Sequence, residues 1–339
     1  MDLPKTIIAL CGLLAWAAMP AAAGPKRLQV VATTTDLGSL VTSVGGEDVE
    51  VTTLVKGPQD PHAIEPRPSF ISKLHRADAF VLTGMELELG WAPPLLRSAR
   101  NPDILPGGRG YVDASTVVSA LEVPVVSADR SMGDVHPLGN PHYLTDPLNG
   151  VRAAGLLRDR LARLRPEREA EFAHRFEAFA SATAERLVGP ELVSRHGAAK
   201  ILQAIERGAL GGLEGGTDPG GWLGALPPPG TNAVEDHQFW AYFAARFGLV
   251  LVGRLEPQPG IAPTTRHLGE IVELVEERGI PVILASAYFD PRHARWVAER
   301  TGATVLRLAH QPGARPETPD YLGTIDFNVR ALARALETP

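Results

Sequence analysis

Apolar positions fall in short β-branched runs separated by amphipathic stretches, and this alternation sets the first expectation about the chain. Leu28 to Thr35 (Leu-Gln-Val-Val-Ala-Thr-Thr-Thr) reads as a buried strand, and Asp36 as the N-cap of a short helix to Val44. Gly45-Gly46 stops that helix, and Val49 to Val55 reads as the next strand. Ser69 then caps a helix from Phe70 to Arg76, followed by a short strand Ala79 to Thr83. Beyond a Pro/Gly-rich piece at 102–110, Val123 to Val126 is strand-like. The second half repeats the pattern: strands at Leu249 to Arg254, Val282 to Ala285 and Thr304 to Leu308 alternate with helices at Leu268 to Arg278 and His293 to Arg300. Asn232 to Asp236 reads as a short edge, Phe239 to Phe247 as an aromatic helix ending at Gly248, and Phe327 to Leu336 as a closing helix.

Between the halves the period changes. Leu156, Leu157, Leu161 and Leu164 recur at helical spacing over Asn149 to Leu164, and Phe172, Phe176 and Phe179 share one face over Glu167 to Leu187, with a break at Pro166. A helix of about 20 residues spans roughly 30 Å, the width of a domain. The expected fold is therefore α/β, with two lobes, each a mostly parallel sheet flanked by helices, joined by a long rigid helix. The boundaries follow: residues 24–165 for the N-terminal lobe, 166–190 for the linking helix and 191–339 for the C-terminal lobe.

Residues 1–23 do not belong to this pattern. A short segment with Lys5, an apolar run from Ile7 to Ala18 and the small-residue end Ala21-Ala22-Ala23 read as a secretory leader, cleaved before Gly24. The single cysteine, Cys11, lies inside it, so the mature chain is expected to carry no thiol, disulfide or lipid anchor and to reside in the periplasm. A net charge of -6 argues against nucleic acid or an anionic membrane as partner.

The chemistry lies in the loops. Gly133 to Pro147 carries His136 and His142 in a stretch broken by three prolines and a Gly-Asn pair, a stiff loop and neither helix nor central strand. A second Pro-rich loop, Gly57 to Ser69, leaves a strand, enters a helix and carries His62. His237 stands at the mouth of the aromatic helix. Imidazoles on irregular loops between two α/β lobes suit a transition metal, although ligands so distant in sequence do not establish one by spacing alone. Three histidines and an open position would also describe a catalytic zinc site. Against an exported zinc hydrolase, the chain has no His-Glu-x-x-His pair and no Gly-x-Ser-x-Gly elbow.

Three segments, Asp60-Pro-His-Ala-Ile-Glu-Pro-Arg-Pro-Ser69, Gly139-Asn-Pro-His-Tyr-Leu-Thr-Asp-Pro147 and His237-Gln-Phe-Trp-Ala-Tyr-Phe-Ala-Ala-Arg-Phe-Gly-Leu249, resemble in order the metal-binding segments of the zinc and manganese solute-binding proteins of ABC transporters. The resemblance covers the mature chain. It implies two lobes holding one divalent ion between them, capture without catalysis, and delivery to an inner-membrane ABC permease by a monomer. It carries His62, His142 and His237 over as ligands. The last of these slots is a carboxylate in some manganese-type members, so a histidine there leans toward Zn²⁺ over Mn²⁺, in line with the preference of imidazole for ions late in the Irving–Williams series. The chain departs from the family twice. It lacks a His-rich acidic loop, and the usual fourth ligand, an aspartate, falls where it reads Ala309-His310-Gln311-Pro312. His310 is the expected fourth ligand, with Asp290 and water as alternatives. Glu65, Glu235 and Asp236 are candidates to orient the rings. A metal-dependent adhesion protein would share this fold and site.

Overall fold

The computed structural model describes residues 26–125, 135–213, 219–227 and 229–337, and the leader with Cys11 lies outside them. Among the described residues eight strands form two sheets: β1 (Leu28–Ala32), β2 (Val49–Thr53), β3 (Ala79–Leu82) and β4 (Tyr111–Asp113) in the first, β5 (Thr231–Glu235), β6 (Leu249–Arg254), β7 (Val282–Ser286) and β8 (Thr304–Leu308) in the second. Every pairing is parallel, and the orders β2-β1-β3-β4 and β6-β5-β7-β8 are the same pattern used twice. The chain is thus a two-lobed α/β molecule.

Several assignments made from the pattern are corrected: Asp36 and Ser69 are not caps but lie inside helices that start at Thr35 and Pro68. Thr231–Glu235 is no edge: it pairs with both β6 and β7, and Ala233, Val234 and Glu235 are fully buried. Asn232 and Glu235 break its apolar run, and Glu235 survives burial because Arg254 pairs with it at 2.6 Å. Conversely, the described part of the Val123 segment is not a strand, and Val123 and Val125 are exposed. The fourth strand is Tyr111–Asp113, hidden in the sequence behind the glycines at 107, 108 and 110.

Strand side chains alternate between faces, so each sheet feeds two cores. Val30, Ala32 and Val81 from the first sheet, Leu157, Phe172 and Phe179 from the long helices, and Ala233, Val282 and Leu284 from the second sheet belong to one continuous core. The outer faces are separate. Val31 and Phe80 pack with Leu74, Trp91 and Ile104, while Val234 and Ile283 pack with Ile271 and Val297. A core common to both lobes makes them one packed body; truncating a buried aromatic such as Phe172 would cost about 3–5 kcal/mol.

The helix Pro147–Leu164 starts cleanly, with Pro147 at its first position and the Asp146 carboxylate accepting the Leu148 N–H at 2.9 Å. A turn at Pro166–Arg168 separates it from Glu169–Val188. Arg168 and Arg175 both reach the buried Asp48 at 2.9 Å, fastening the second long helix to the N-terminal lobe. The last helix, Tyr321–Glu337, begins before Phe327 because Tyr321, Thr324 and Ile325 continue its buried face. Its first residue crosses the molecule: Tyr321 Oη donates to the Leu144 carbonyl at 2.7 Å, and Tyr321 N donates to Ser39 Oγ at 2.9 Å.

The carboxyl ends of the two sheets face a common cleft, where open α/β sheets hold ligands. Several ties close it. Arg246 holds Asp146 through two 2.9 Å bonds. Arg254 bridges Glu122 and Glu235, and Glu122 also accepts from Asn140 Nδ2 and Gln238 Nε2 at 2.8 and 2.9 Å. Gln311 Nε2 reaches the carbonyls of Lys56, Gly57 and Gln59 at 3.1–3.3 Å. Gly57 lies so close to Gly313 that a Cβ on it would stand 2.2 Å from the Gly313 carbonyl carbon, so the backbone contact itself requires glycine.

Candidate metal centre

His62 lies on the loop between β2 and the helix Pro68–His75. The loop is locked from both sides: Trp91 Nε1 donates to the Pro61 carbonyl at 3.1 Å, and Asp60 Oδ1 accepts both the His62 backbone N–H at 2.9 Å and Nδ1 at 2.8 Å. Since the carboxylate can only accept, Nδ1 carries the hydrogen and Nε2 is left with its lone pair. That Nε2 is buried with no hydrogen-bond partner. Burial works against ionisation of Asp60, but its bonds to His62 prevail and hold the carboxyl below the usual range.

His142 is set by an Asx turn in which Asn140 Oδ1 accepts the His142 N–H at 2.9 Å, the local consequence of the Asn-Pro-His order. Its ring stacks on Phe239, centroids 3.9 Å apart, and its Nε2 is likewise buried and without a partner. Burial first, and then the neighbouring imidazoles, push its pKa well below the ordinary histidine value, so the ring is neutral and able to ligate.

His237 follows β5 directly. Asp236 Oδ1 accepts the His237 backbone N–H at 2.8 Å, and Glu256 Oε2 takes Nδ1 at 2.7 Å. One nitrogen from each of His62, His142 and His237 lies within 4.8 Å of the other two. Three ring nitrogens so grouped, two of them (Nε2 of His62 and of His142) buried without a partner, fit a metal ion, and a zinc ion bound to all three would draw its ligand atoms to about 3.4 Å apart. The carboxylates behind two of the rings fix their tautomers and raise ligand basicity.

The orienting acids are therefore Asp60 and Glu256. Glu65 is exposed; Glu235 accepts the Trp240 N–H at 2.9 Å and pairs with Arg254; Asp236 accepts the Ser286 N–H at 2.6 Å, joining the ends of β5 and β7. Burial raises these last two carboxyls to about 7 and about 8. Asp60 had a visible signal, standing two residues before His62; Glu256, beyond β6, had none.

His310 follows β8 and is not one of the three grouped imidazoles. Its Nε2 lies 3.1 Å from the Gln59 carbonyl, which can only accept, and its ring packs against Tyr288, centroids 4.6 Å apart. Asp290 is exposed and accepts the Arg292 N–H at 2.9 Å at the start of the helix Arg292–Thr301. His136, on the same loop as His142, has its ring centroid 5.3 Å from that of His62.

Residues 30–186 and 223–335 match the family model described as zinc-uptake complex component A, periplasmic. The iron-binding protein YfeA of Yersinia pestis is 25% identical over 97% of this chain and 94% of its own length. The metal ABC transporter substrate-binding lipoprotein FimA of Streptococcus parasanguinis is 30% identical over 96% of this chain and 95% of its own. Among solved structures, ZnuA superposes with a TM-score of 0.66 at 21% identity, covering 91% of this chain and 99% of that one.

Proposed function

The chain belongs to the zinc-uptake component A family, the substrate-binding proteins of metal ABC transporters, which are not enzymes, and from that premise we propose that its cargo is Zn²⁺. Relatives are named for iron, manganese or zinc, so the metal has to be argued from the donor set. The observation that carries the reading is the trio His62, His142 and His237, all-nitrogen, with two of its rings backed by carboxylates. Neutral imidazoles favour zinc over manganese, which prefers oxygen. Capture outside the cytoplasm and delivery to a membrane permease follow from the family. Release by cleavage after Ala23, in place of a lipid on Cys11, is our reading of the leader.

An ion bound only by the folded state adds about 2.7 kcal/mol at a hundredfold excess over its Kd. Zinc should accordingly raise the thermal midpoint, and His142→Ala, measured against its own apo midpoint, should lose that rise. A manganese-induced rise larger than the zinc one would overturn the choice of metal.

A further inference from the structure

We propose that His136 supplies the fourth imidazole to the ion held by His62, His142 and His237, in the position where His310 was expected. The proposal rests on the metal-capture reading above. With metal–nitrogen bonds of about 2.1 Å, four imidazoles arranged tetrahedrally around one ion have ring centroids roughly 5 Å apart. The three grouped rings stand at 5.1 Å (His62–His142), 5.6 Å (His62–His237) and 5.9 Å (His142–His237). His136 stands 5.3 Å from His62, within that range, and 6.4 Å from His142, about half an ångström beyond it, a gap that its loop would close on the ion. It also lines, together with His237, Asn140 and Gln238, a cavity of about 30 Å³, space for little more than a single small ligand.

The backbone holds His136 there. Gly139 N donates to the His136 carbonyl at 3.1 Å, closing a turn, and Asn140 N donates to the Leu121 carbonyl at 2.9 Å, pinning the turn to the preceding segment. Gly139 has φ +106, and a Cβ on it would come within 2.8 Å of Ala120 Cβ, so only glycine makes this approach. One stiff loop thus carries both His136 and His142 to the same side of the cleft. His310 differs in its surroundings: its Nε2 serves the Gln59 carbonyl and its Nδ1 is buried without a partner, but its ring contacts are Tyr288 at 4.6 Å and Phe239 at 6.1 Å, with no imidazole among them, whereas His136 lies against two. A four-imidazole shell is neutral, and the two positive charges of the ion are balanced one layer out, by Asp60 and Glu256.

The test loads the full chain with one equivalent of zinc and counts imidazoles by X-ray absorption, alongside affinity by chelator competition, for wild type, His136→Ala, His136→Gln and His310→Ala. Four imidazoles should be found in wild type and in His310→Ala and three in both His136 variants, with affinity falling at least about tenfold in the latter two. Their apo circular dichroism should be unchanged, since His136 belongs to no helix or strand. A count that stays at wild-type value in the His136 variants, or drops in His310→Ala, overturns the assignment. Zinc capture as a whole fails separately, if wild type takes up no zinc or if His142→Ala binds it as tightly as wild type.

Discussion

The two lobes solve the same problem with the same strand order and place their groups differently. In each, a buried carboxylate ties together the ends of the two middle strands. In the N-terminal lobe it is Glu88, which accepts from Thr33 Oγ1 beyond β1 at 2.6 Å and from Thr83 N and Gly84 N beyond β3 at 2.7 and 3.1 Å. In the C-terminal lobe it is Asp236, at the end of β5, accepting from Ser286 N at the end of β7. The difference lies in the imidazoles. The N-terminal lobe carries histidine and orienting acid on one loop, His62 with Asp60, after the outer strand β2. The C-terminal lobe splits them, His237 after β5 and Glu256 after the outer strand β6. The same strand order therefore sets one histidine with its acid as a local unit and the other only after two strands have paired.

That contrast can be broken in three places. The largest effect should come from Glu88→Ala, which strands one hydroxyl and two backbone N–H groups in a buried site at about 1–3 kcal/mol each. Urea unfolding should show a loss of at least about 3 kcal/mol, and a loss below 1 kcal/mol would mean that the tie is not structural.

Next comes the exit of the fourth strand in each lobe, where the N-terminal sheet has Asp113 and the C-terminal sheet has His310. Burial pushes His310 down to about 4 from an ordinary 6.5, with Gln59 and Asp60 opposing the shift and His62 and Arg315 adding to it. A folded-state pKa below the unfolded one means that stability is complete above about pH 6.5 and is lost as pH falls through about 4. The apo protein should lose on the order of 3 kcal/mol across that window from this residue. His310→Gln, which can still donate to the Gln59 carbonyl, should flatten the pH dependence of the midpoint; parallel curves for variant and wild type would refute the assignment.

The smallest effect distinguishes the two acids. Asp60→Asn and Glu256→Gln should each weaken zinc by about 10- to 100-fold, as loss of a carboxylate behind a ligating histidine typically does. If both positions act only by orienting Nδ1, the two losses should match in competition titrations. A loss confined to Glu256→Gln would show that the Asp60 turn needs no charge.

What was legible in the chain follows the same division. Strands such as Val282–Ser286 and Thr304–Leu308 announce themselves because unbroken apolar runs have few other uses, and the three histidines that the fold groups are legible because each sits among prolines or aromatics that fix a loop. β5 reads as an edge because its charge, Glu235, is tolerated through Arg254, 19 positions away, and the Trp240 N–H, neither of which the strand's own sequence shows. Glu256 was unreadable for a related reason: it is placed by the register of β6 on β5, including a slip between Ala233 and Val234. His136 and His142 share one loop, and nothing in a sequence tells which side of a turn faces a cleft.

The bond from Tyr321 N to Ser39 Oγ spans 282 positions, and that from Tyr321 Oη to the Leu144 carbonyl spans 177. Contacts at such separation delay folding, because the entropy of closing the intervening chain must be met before they contribute. The last helix also completes the core shared by both sheets, through Ile325, Val329 and Leu332. A chain crossing a membrane with its N-terminus leading would therefore carry His62, His142 and His237 across before that core was complete. Nearly the whole polypeptide has to arrive before the packing behind the three histidines is finished.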